Sequence, residues 1–181
     1  MVSVPLDWKH IDWMPTETWR KVTLPKLAKV GLKESELNRS VYVIRLNGDF
    51  CVQYPTGQSP TLYIGEGRFN QRIGAHRQWV TELKELVGDF TFQVCIAVPR
   101  VRNSPNAYQD TEAAIIDRFG FHFGSAPMWN KQFERRRNNY EYNARQIDRA
   151  ICKRSGAKYK WAVAPMPSSG FYRNFLRTHK E

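Results

Sequence analysis

The sequence lacks the long apolar runs, the paired cysteines and the export signal that would place it in several common protein classes. No run of apolar residues reaches the roughly eighteen that a membrane-spanning helix requires. The N-terminal residues include acidic side chains and lack the basic-then-apolar order of a signal peptide, so we expect a cytoplasmic protein. Cys51, Cys95 and Cys152 are odd in number, widely spaced and without a C-x-x-C pair. We therefore expect small buried or half-buried cysteines rather than disulfides or a zinc site.

Negative charge is also scarce. The chain has 17 Asp and Glu against 28 Lys and Arg, which gives a net charge of +11. This excess predicts a polyanionic partner, and nucleic acid is the commonest one because each phosphate contact releases a condensed counterion. With 181 residues, 41% of them hydrophobic, the chain is long enough for one complete core and too short to favour two domains.

The central part of the chain predicts an α+β fold. Between Ser40 and Gly65 the segments SVYVIRL, DFCVQY and TLYIG are extended in character, and Asn47-Gly48 is a favoured two-residue hairpin turn. The apolar spacing becomes helical from Phe69 to about Val87, and residues 90–98 predict another strand. A second helix, YQDTEAAIIDRFG, ends at Gly120 or Gly124. We expect a small antiparallel sheet of about three strands, flanked by helices.

Extensions with helical character are predicted on both sides of this unit. Residues 1–39 form an N-terminal extension whose three tryptophans, Trp8, Trp13 and Trp19, either pack onto the core or form a partner surface. Residues 133–181 form a basic C-terminal extension in which ERRRNNYEYNARQIDRAICKR predicts a helix. That helix is either an element that contacts phosphates or an ordinary solvated face.

The order of motifs along residues 40–132 resembles the GIY-YIG nuclease family. The matching elements are Val41-Tyr42, Tyr63-Ile64-Gly65, Arg72 with His76, Glu112 in the second helix, and Asn130 in the following loop. Two features depart from the family: Ser40 stands where a glycine is expected, and the motif tyrosines lie 21 positions apart. If the sheet brings these tyrosines together, their inner strand ends must pair directly, with residues 47–60 as an extended tip.

The resemblance implies a metal-dependent endonuclease whose catalytic residues are Tyr42, Tyr63, Arg72, His76 and Glu112. The side-chain chemistry agrees with this role. Arg72 can clamp phosphate oxygens with two hydrogen bonds, and Glu112 is a hard oxygen ligand of the kind that Mg²⁺ or Mn²⁺ accepts. Ala113 to Ile116 follow Glu112 directly, so we expect its carboxylate to face a partly buried cleft.

The identity of the general base stays open in the sequence. The resemblance assigns this role to Tyr63, but a phenol with an ordinary pKa of about 10 needs roughly 4 kcal/mol of differential stabilisation to ionise at neutrality. A nearby guanidinium and a metal ion can supply it. Alternatively, Tyr63 orients the water while a hydrated metal takes the proton. His76 can hydrogen-bond Tyr42 or a phosphate oxygen.

DNA is the expected partner, together with a protein partner or a second copy of the chain. The residues assigned to nucleic-acid contact are Arg68, Asn130, Lys131, Arg135, Arg136 and Arg137. The competing hypothesis is a non-catalytic nucleic-acid-binding module of the same fold. A carboxylate at position 112 argues against that alternative, because without a metal it repels phosphate. Restriction, homing, mobile-element and repair roles all remain open.

Overall fold

A four-stranded antiparallel sheet forms the centre of the protein. The computed structural model describes residues 2–47, 50–87, 91–131, 135–153, 161–164 and 167–168. The strands of this sheet, in spatial order, are β2 (Lys9–Trp13), β7 (Thr91–Ala97), β3 (Val41–Asn47) and β6 (Thr61–Glu66). Here β1 is the short strand Ser3–Val4, and β4 and β5 are Phe50–Tyr54 and Gly57–Ser59.

The α+β class is confirmed, whereas the expected count of about three strands is wrong. The fourth strand is β2, which comes from the N-terminal segment and pairs along the whole of β7, from Lys9 opposite Ile96 to Trp13 opposite Phe92. Its side chains alternate between buried and more exposed positions, as a half-buried edge strand requires. The sequence analysis missed β2 because five residues with only two fully buried side chains carry little periodic signal.

The central strand β3 is buried on both faces at its start. Val41, Tyr42, Val43 and Ile44 are all fully buried, which explains why this segment is continuously apolar instead of alternating. It pairs with β6 so that Tyr42 lies opposite Gly65 and Ile44 lies opposite Tyr63. The inner ends of the two motif strands therefore pair directly.

The segment between the motif strands leaves the main sheet. Strand β4 pairs with β5 and, in parallel, with β9 (Trp161–Val163), and these three strands form a separate sheet. This arrangement allows 21 residues of separation between Tyr42 and Tyr63 without placing a strand between them. Gly48 of the predicted hairpin turn lies outside the described residues.

Two long helices follow the positions that the sequence predicts. Helix α2 spans Phe69–Val87, and helix α3 spans Ala107–Phe123 and packs against β3, β5 and β6. Gly124 ends α3 in the left-handed conformation, with φ of 74°, which a glycine adopts without steric cost. Among the described residues, no helix is long and apolar enough to cross a lipid bilayer.

The flanking segments differ from the predicted helical extensions. The N-terminal segment contains β1, β2, a π-helical turn (Trp19–Thr23), the short helix α1 (Leu24–Lys29) and a 3-10 helix (Glu34–Arg39). Trp13 is fully buried, and Trp8 and Trp19 pack against the core while partly exposed. The three cysteines are buried or half-buried, as predicted.

The predicted basic helix after residue 133 is much shorter than expected. Residues 135–140 are not helical, β8 (Glu141–Tyr142) pairs in parallel with β1, and helix α4 covers only Ala144–Ala150. Asn143 caps α4 by accepting hydrogen bonds from the amides of Arg145 and Gln146. A cap at this position begins a new helix rather than continuing one. Residues 132–134 and 154–160, and most of the tail beyond, lie outside the described residues.

Candidate active site

The five predicted catalytic residues come from two strands and two helices and converge on one region. Tyr42 lies on β3, Tyr63 on β6, Arg72 and His76 on α2, and Glu112 on α3. Tyr63, Arg72 and Glu112 line a groove of about 520 Å³. Tyr42 and His76 do not line the groove; they are buried beside Tyr63, with ring centroids 6.0 and 4.4 Å from that of Tyr63. The full lining of the groove is Tyr63, Glu66, Arg72, Gln109, Asp110, Glu112, Trp129, Asn130, Lys131, Arg135 and Arg137.

The two motif tyrosines are diagonal neighbours on one face of the sheet. Tyr42 is opposite Gly65, so Tyr63, two residues before Gly65, points to the same side. Their ring centroids lie 6.0 Å apart. Tyr42 is wholly buried, whereas Tyr63 is half-buried. The hydroxyl oxygen of Tyr63 lies 3.5 Å from Nη1 of Arg72. Only Tyr63 of this pair reaches the groove.

His76 is held between two buried partners. Its Nε2 lies 3.0 Å from the hydroxyl oxygen of Tyr42, and its Nδ1 accepts a hydrogen bond of 3.1 Å from the indole of Trp79. Burial, with a further contribution from the positive charge of Arg72, lowers the pKa of His76 to about 4. The imidazole is therefore neutral at physiological pH, so it orients a hydroxyl group rather than carrying positive charge to a phosphate.

The electrostatic environment of Tyr63 contains opposing influences. Burial raises the pKa of Tyr63 above its usual value, Arg72 lowers it, and the negative charge of Glu112 raises it again. Burial likewise raises the pKa of Tyr42 well above the ordinary value for a phenol. Both tyrosines are neutral in the protein by itself, and additional positive charge near Tyr63 would be needed to ionise it.

Glu112 is a carboxylate in the wall of the groove. It is 9% exposed, on a buried stretch of α3, and its side chain lines the groove. Glu66 also lines the groove but pairs with Arg72 at 3.5 Å. Asp110 accepts hydrogen bonds from the backbone amides of Arg137 and Asn138.

No group of three or more His, Cys, Asp or Glu side chains that could hold a metal occurs within the part of the chain that the structure describes. Magnesium commonly takes one or two protein carboxylates, with water and substrate phosphate at its other positions. The donor set of the groove, centred on Glu112, fits that mode of binding and does not fit a closed cage of protein ligands.

The residues assigned to nucleic-acid contact separate into two groups. Lys131, Arg135 and Arg137 are exposed and line the groove beside Tyr63, Arg72 and Glu112. Arg136 instead pairs with Asp117 at 3.1 Å and lines a different cavity of about 310 Å³. Arg68 is exposed at the start of α2, and the described lining of the groove does not include it.

Asn130 has a structural contact that the sequence analysis did not anticipate. Its side-chain oxygen accepts a 2.9 Å hydrogen bond from the amide of Ile64, and its side-chain nitrogen donates to the Ile64 carbonyl at 2.7 Å. The amide of Trp129 donates to the Leu62 carbonyl at 3.0 Å. The loop thus covers the outer edge of β6 and fixes the strand that carries Tyr63.

Sequence reasoning missed two tryptophans and an acidic residue in this region. Trp79 lies three positions after His76 on α2, and side chains at this spacing are neighbours on a helix. The contact between Trp79 and His76 was therefore predictable. Trp129 stacks on Trp79 with ring centroids 4.8 Å apart, and this long-range contact left no local signal. Glu66 directly follows the second motif, and its pairing with Arg72 depends on where α2 begins.

Comparison of the chain with protein-family models, with curated proteins and with solved structures finds no match. The functional interpretation therefore depends on the geometry of the groove and on the order of the motifs.

Proposed function

We propose that the protein is a metal-dependent endonuclease of the GIY-YIG type that hydrolyses phosphodiester bonds in DNA. The observation that carries this proposal is the convergence of Tyr63, Arg72 and Glu112 on one groove, above the buried pair of Tyr42 and His76. Phosphodiester hydrolysis needs an aligned nucleophile, positive charge for the phosphate oxygens and an acceptor for a proton. These side chains supply all three requirements.

Each groove residue has a defined part in the proposed reaction. Arg72 binds the oxygens of the scissile phosphate through its planar guanidinium group, which forms paired hydrogen bonds that a lysine cannot match. Tyr63 must first lose its own hydroxyl proton to solvent, which the positive charge of Arg72 and of a bound metal would favour. The phenolate then holds the attacking water and accepts its proton as the new oxygen–phosphorus bond forms, and the leaving oxygen takes a proton from solvent as the old bond breaks. Glu112 would hold Mg²⁺ or Mn²⁺, which supplies positive charge to the phosphate oxygens and to the leaving oxygen.

The charge of the groove supports DNA as the substrate. Lys131, Arg135 and Arg137 extend the positive surface away from Arg72, where they can contact phosphates flanking the cleavage site. A cytoplasmic location, and a protein partner or second copy that contributes target selection, belong to the same proposal. The alternative is a binding module that uses these cations without turnover, and the surface cations by themselves fit it equally well.

A plasmid-nicking assay tests the proposal directly. The parent protein, Glu112→Gln and Asp117→Asn are incubated with supercoiled DNA in Mg²⁺, in Mn²⁺ and in chelator. Asp117 lies on the same helix, is exposed and lines a different cavity. Its variant therefore removes one negative charge, together with an exposed ion pair to Arg136, at a position that does not line the groove. We expect metal-dependent nicking in the parent and in Asp117→Asn, and a loss of about 100-fold or more in Glu112→Gln.

DNA binding measured on the same proteins separates the two functions. Glu112→Gln should bind DNA at least as tightly as the parent, because the substitution removes a negative charge from a basic groove. Tight binding by the parent without nicking in either metal would favour the non-catalytic module. Equal nicking by the parent and Glu112→Gln would show that the Glu112 carboxylate is not needed for cleavage.

A further inference from the structure

We propose that Trp79 is a positioning residue of this site: its indole fixes the tautomer of His76, and the imidazole in turn aims the hydroxyl proton of Tyr42 at Tyr63. This inference rests on the proposed nuclease function for its consequence, although the hydrogen-bond arrangement itself can be tested without catalysis. Trp79 does not line the groove and acts through His76 and Tyr42.

The first step follows from the chemistry of the indole. An indole N–H group only donates, so the ring nitrogen that faces it must be an unprotonated acceptor. Nε1 of Trp79 lies 3.1 Å from Nδ1 of His76, and the two residues are 9% and 7% exposed. Because His76 is neutral at physiological pH, its single ring proton must lie on Nε2.

The second step transfers this orientation to Tyr42. Nε2 of His76 lies 3.0 Å from the hydroxyl oxygen of Tyr42, so the imidazole donates and the tyrosine oxygen accepts. The proton of Tyr42 is then directed away from His76. The rings of Tyr42 and Tyr63 lie side by side, with centroids 6.0 Å apart. Burial raises the pKa of both phenols, and an interaction between the two side chains raises that of Tyr42 further while it lowers that of Tyr63. This pattern agrees with donation from Tyr42 to Tyr63.

The third step is the effect on Tyr63. Nη1 of Arg72 lies 3.5 Å from the Tyr63 oxygen. Burial raises the pKa of Tyr63, and the interactions with Arg72 and with Tyr42 both lower it, so both stabilise the phenolate that must be present for Tyr63 to act as a general base. With the opposite tautomer, Nε2 of His76 would accept from Tyr42 and withdraw that hydrogen bond from Tyr63. The indole would then face a second N–H group, which is unfavourable in a buried position.

The position of Trp79 is itself linked to the groove. Its ring stacks on Trp129 at an interplanar angle of 22°. Trp129 belongs to the loop that Asn130 attaches to β6. The loop that holds the Tyr63 strand in place therefore also packs against Trp79, the residue that orients His76.

Nuclear magnetic resonance of ¹⁵N-labelled histidine measures the tautomer directly at pH 7. The parent, Trp79→Phe and Trp129→Phe are compared, and the His76 signals are assigned by their loss in His76→Gln. Trp79→Phe keeps an aromatic ring but removes the N–H donor together with part of the ring. Trp129→Phe makes the same reduction in ring size within the same stack and leaves the indole donor of Trp79 in place. We expect the Nε2–H tautomer in the parent and in Trp129→Phe, and a mixture of tautomers in Trp79→Phe.

Steady-state cleavage gives the second readout. Trp79→Phe should lower kcat about tenfold, the typical effect of one lost buried hydrogen bond, with KM for DNA unchanged. If the tautomer shifts as expected while no protein cleaves DNA, the positioning arrangement is supported and the nuclease function fails. An Nδ1–H or charged His76 in the parent overturns the inference, even if Trp79→Phe does not fold. An unchanged tautomer and kcat in a folded Trp79→Phe overturn it as well.

Discussion

The ring of Tyr42 packs over Gly65, its partner across strands β3 and β6. A Cβ atom at position 65 would lie 2.7 Å from the hydroxyl oxygen of Tyr42 and 2.5 Å from a ring carbon of Tyr63. Non-bonded carbon atoms are most favourably placed about 3.5 to 4.0 Å apart. The glycine is therefore required for space, so that both tyrosine rings can lie on the same face of the sheet.

Gly65→Ala should displace both tyrosines and strongly reduce cleavage. Shifts of about 1 Å in a catalytic group can cost on the order of 100-fold in rate, and overpacking a core costs about 1–3 kcal/mol of stability. Nicking rates and chemical denaturation measure the two effects. The control is Gly74→Ala, because no atom lies within 4 Å of a Cβ at that helical position and alanine favours helix. Full cleavage by a stable Gly65→Ala protein would contradict the described packing.

Asn130→Ala should act on the fold of β6 rather than on DNA affinity. The substitution leaves the amide and carbonyl of Ile64 without their partners at the strand edge, which costs about 1–3 kcal/mol. We expect lower stability and slower cleavage at unchanged DNA affinity, measured by denaturation and by fluorescence anisotropy. Unchanged stability with weaker binding would instead favour the DNA-contact role predicted from the sequence.

The adjacent arginines should differ in their effect on DNA binding. Arg135→Ala with Arg137→Ala removes two groove cations, whereas Arg136→Ala removes one that pairs with Asp117 outside the groove. The double variant should flatten the slope of log K against log salt by up to about 0.9 per lost phosphate contact. Arg136→Ala should leave that slope close to the parent value. If each arginine changed the slope equally, DNA binding would depend on the overall positive charge of the segment and not on contacts within the groove.

The stability of the protein should fall in mildly acidic solution because of His76. Its pKa of about 4 in the folded protein lies below the unfolded value of 6.5. The unfolded chain therefore binds this proton first, and the stabilisation that is present above pH 6.5 is lost as the pH falls towards 4. The full decrease in the free energy of unfolding is about 3 kcal/mol. Denaturation of the parent and of His76→Gln from pH 7 to pH 4 measures it, and parallel stability profiles would contradict it.

Strongly patterned segments were predictable from the sequence. Helix α2 has the predicted bounds, Phe69–Val87, because it carries a long apolar stripe. Strand β7 likewise followed from its alternating pattern. For the end of α3, the sequence offered Gly120 and Gly124 as stop signals, and the helix ends at Gly124. Direct pairing of β3 with β6 followed from chemistry, since a shared site required the two tyrosines to be adjacent.

Features that depend on long-range contacts were not predictable. The non-helical course of residues 135–140 includes the backbone hydrogen bonds from Arg137 and Asn138 to Asp110, about 27 positions earlier in the chain. The contact of Asn130 with Ile64 spans 66 positions. In each case the local sequence was compatible with several conformations, and contacts with a residue distant in the chain determine which one forms.

Strand β2 also determines how the protein can be dissected. Its backbone pairs with β7, whose side chains from Phe92 to Ala97 are mostly buried. A fragment cut to residues 40–132 would contain every predicted catalytic residue, yet it would present the unpaired amides and carbonyls of β7 to solvent. Exposed apolar strand edges pair with other chains. We therefore expect a fragment shortened to residues 40–132 to aggregate through the exposed edge of β7.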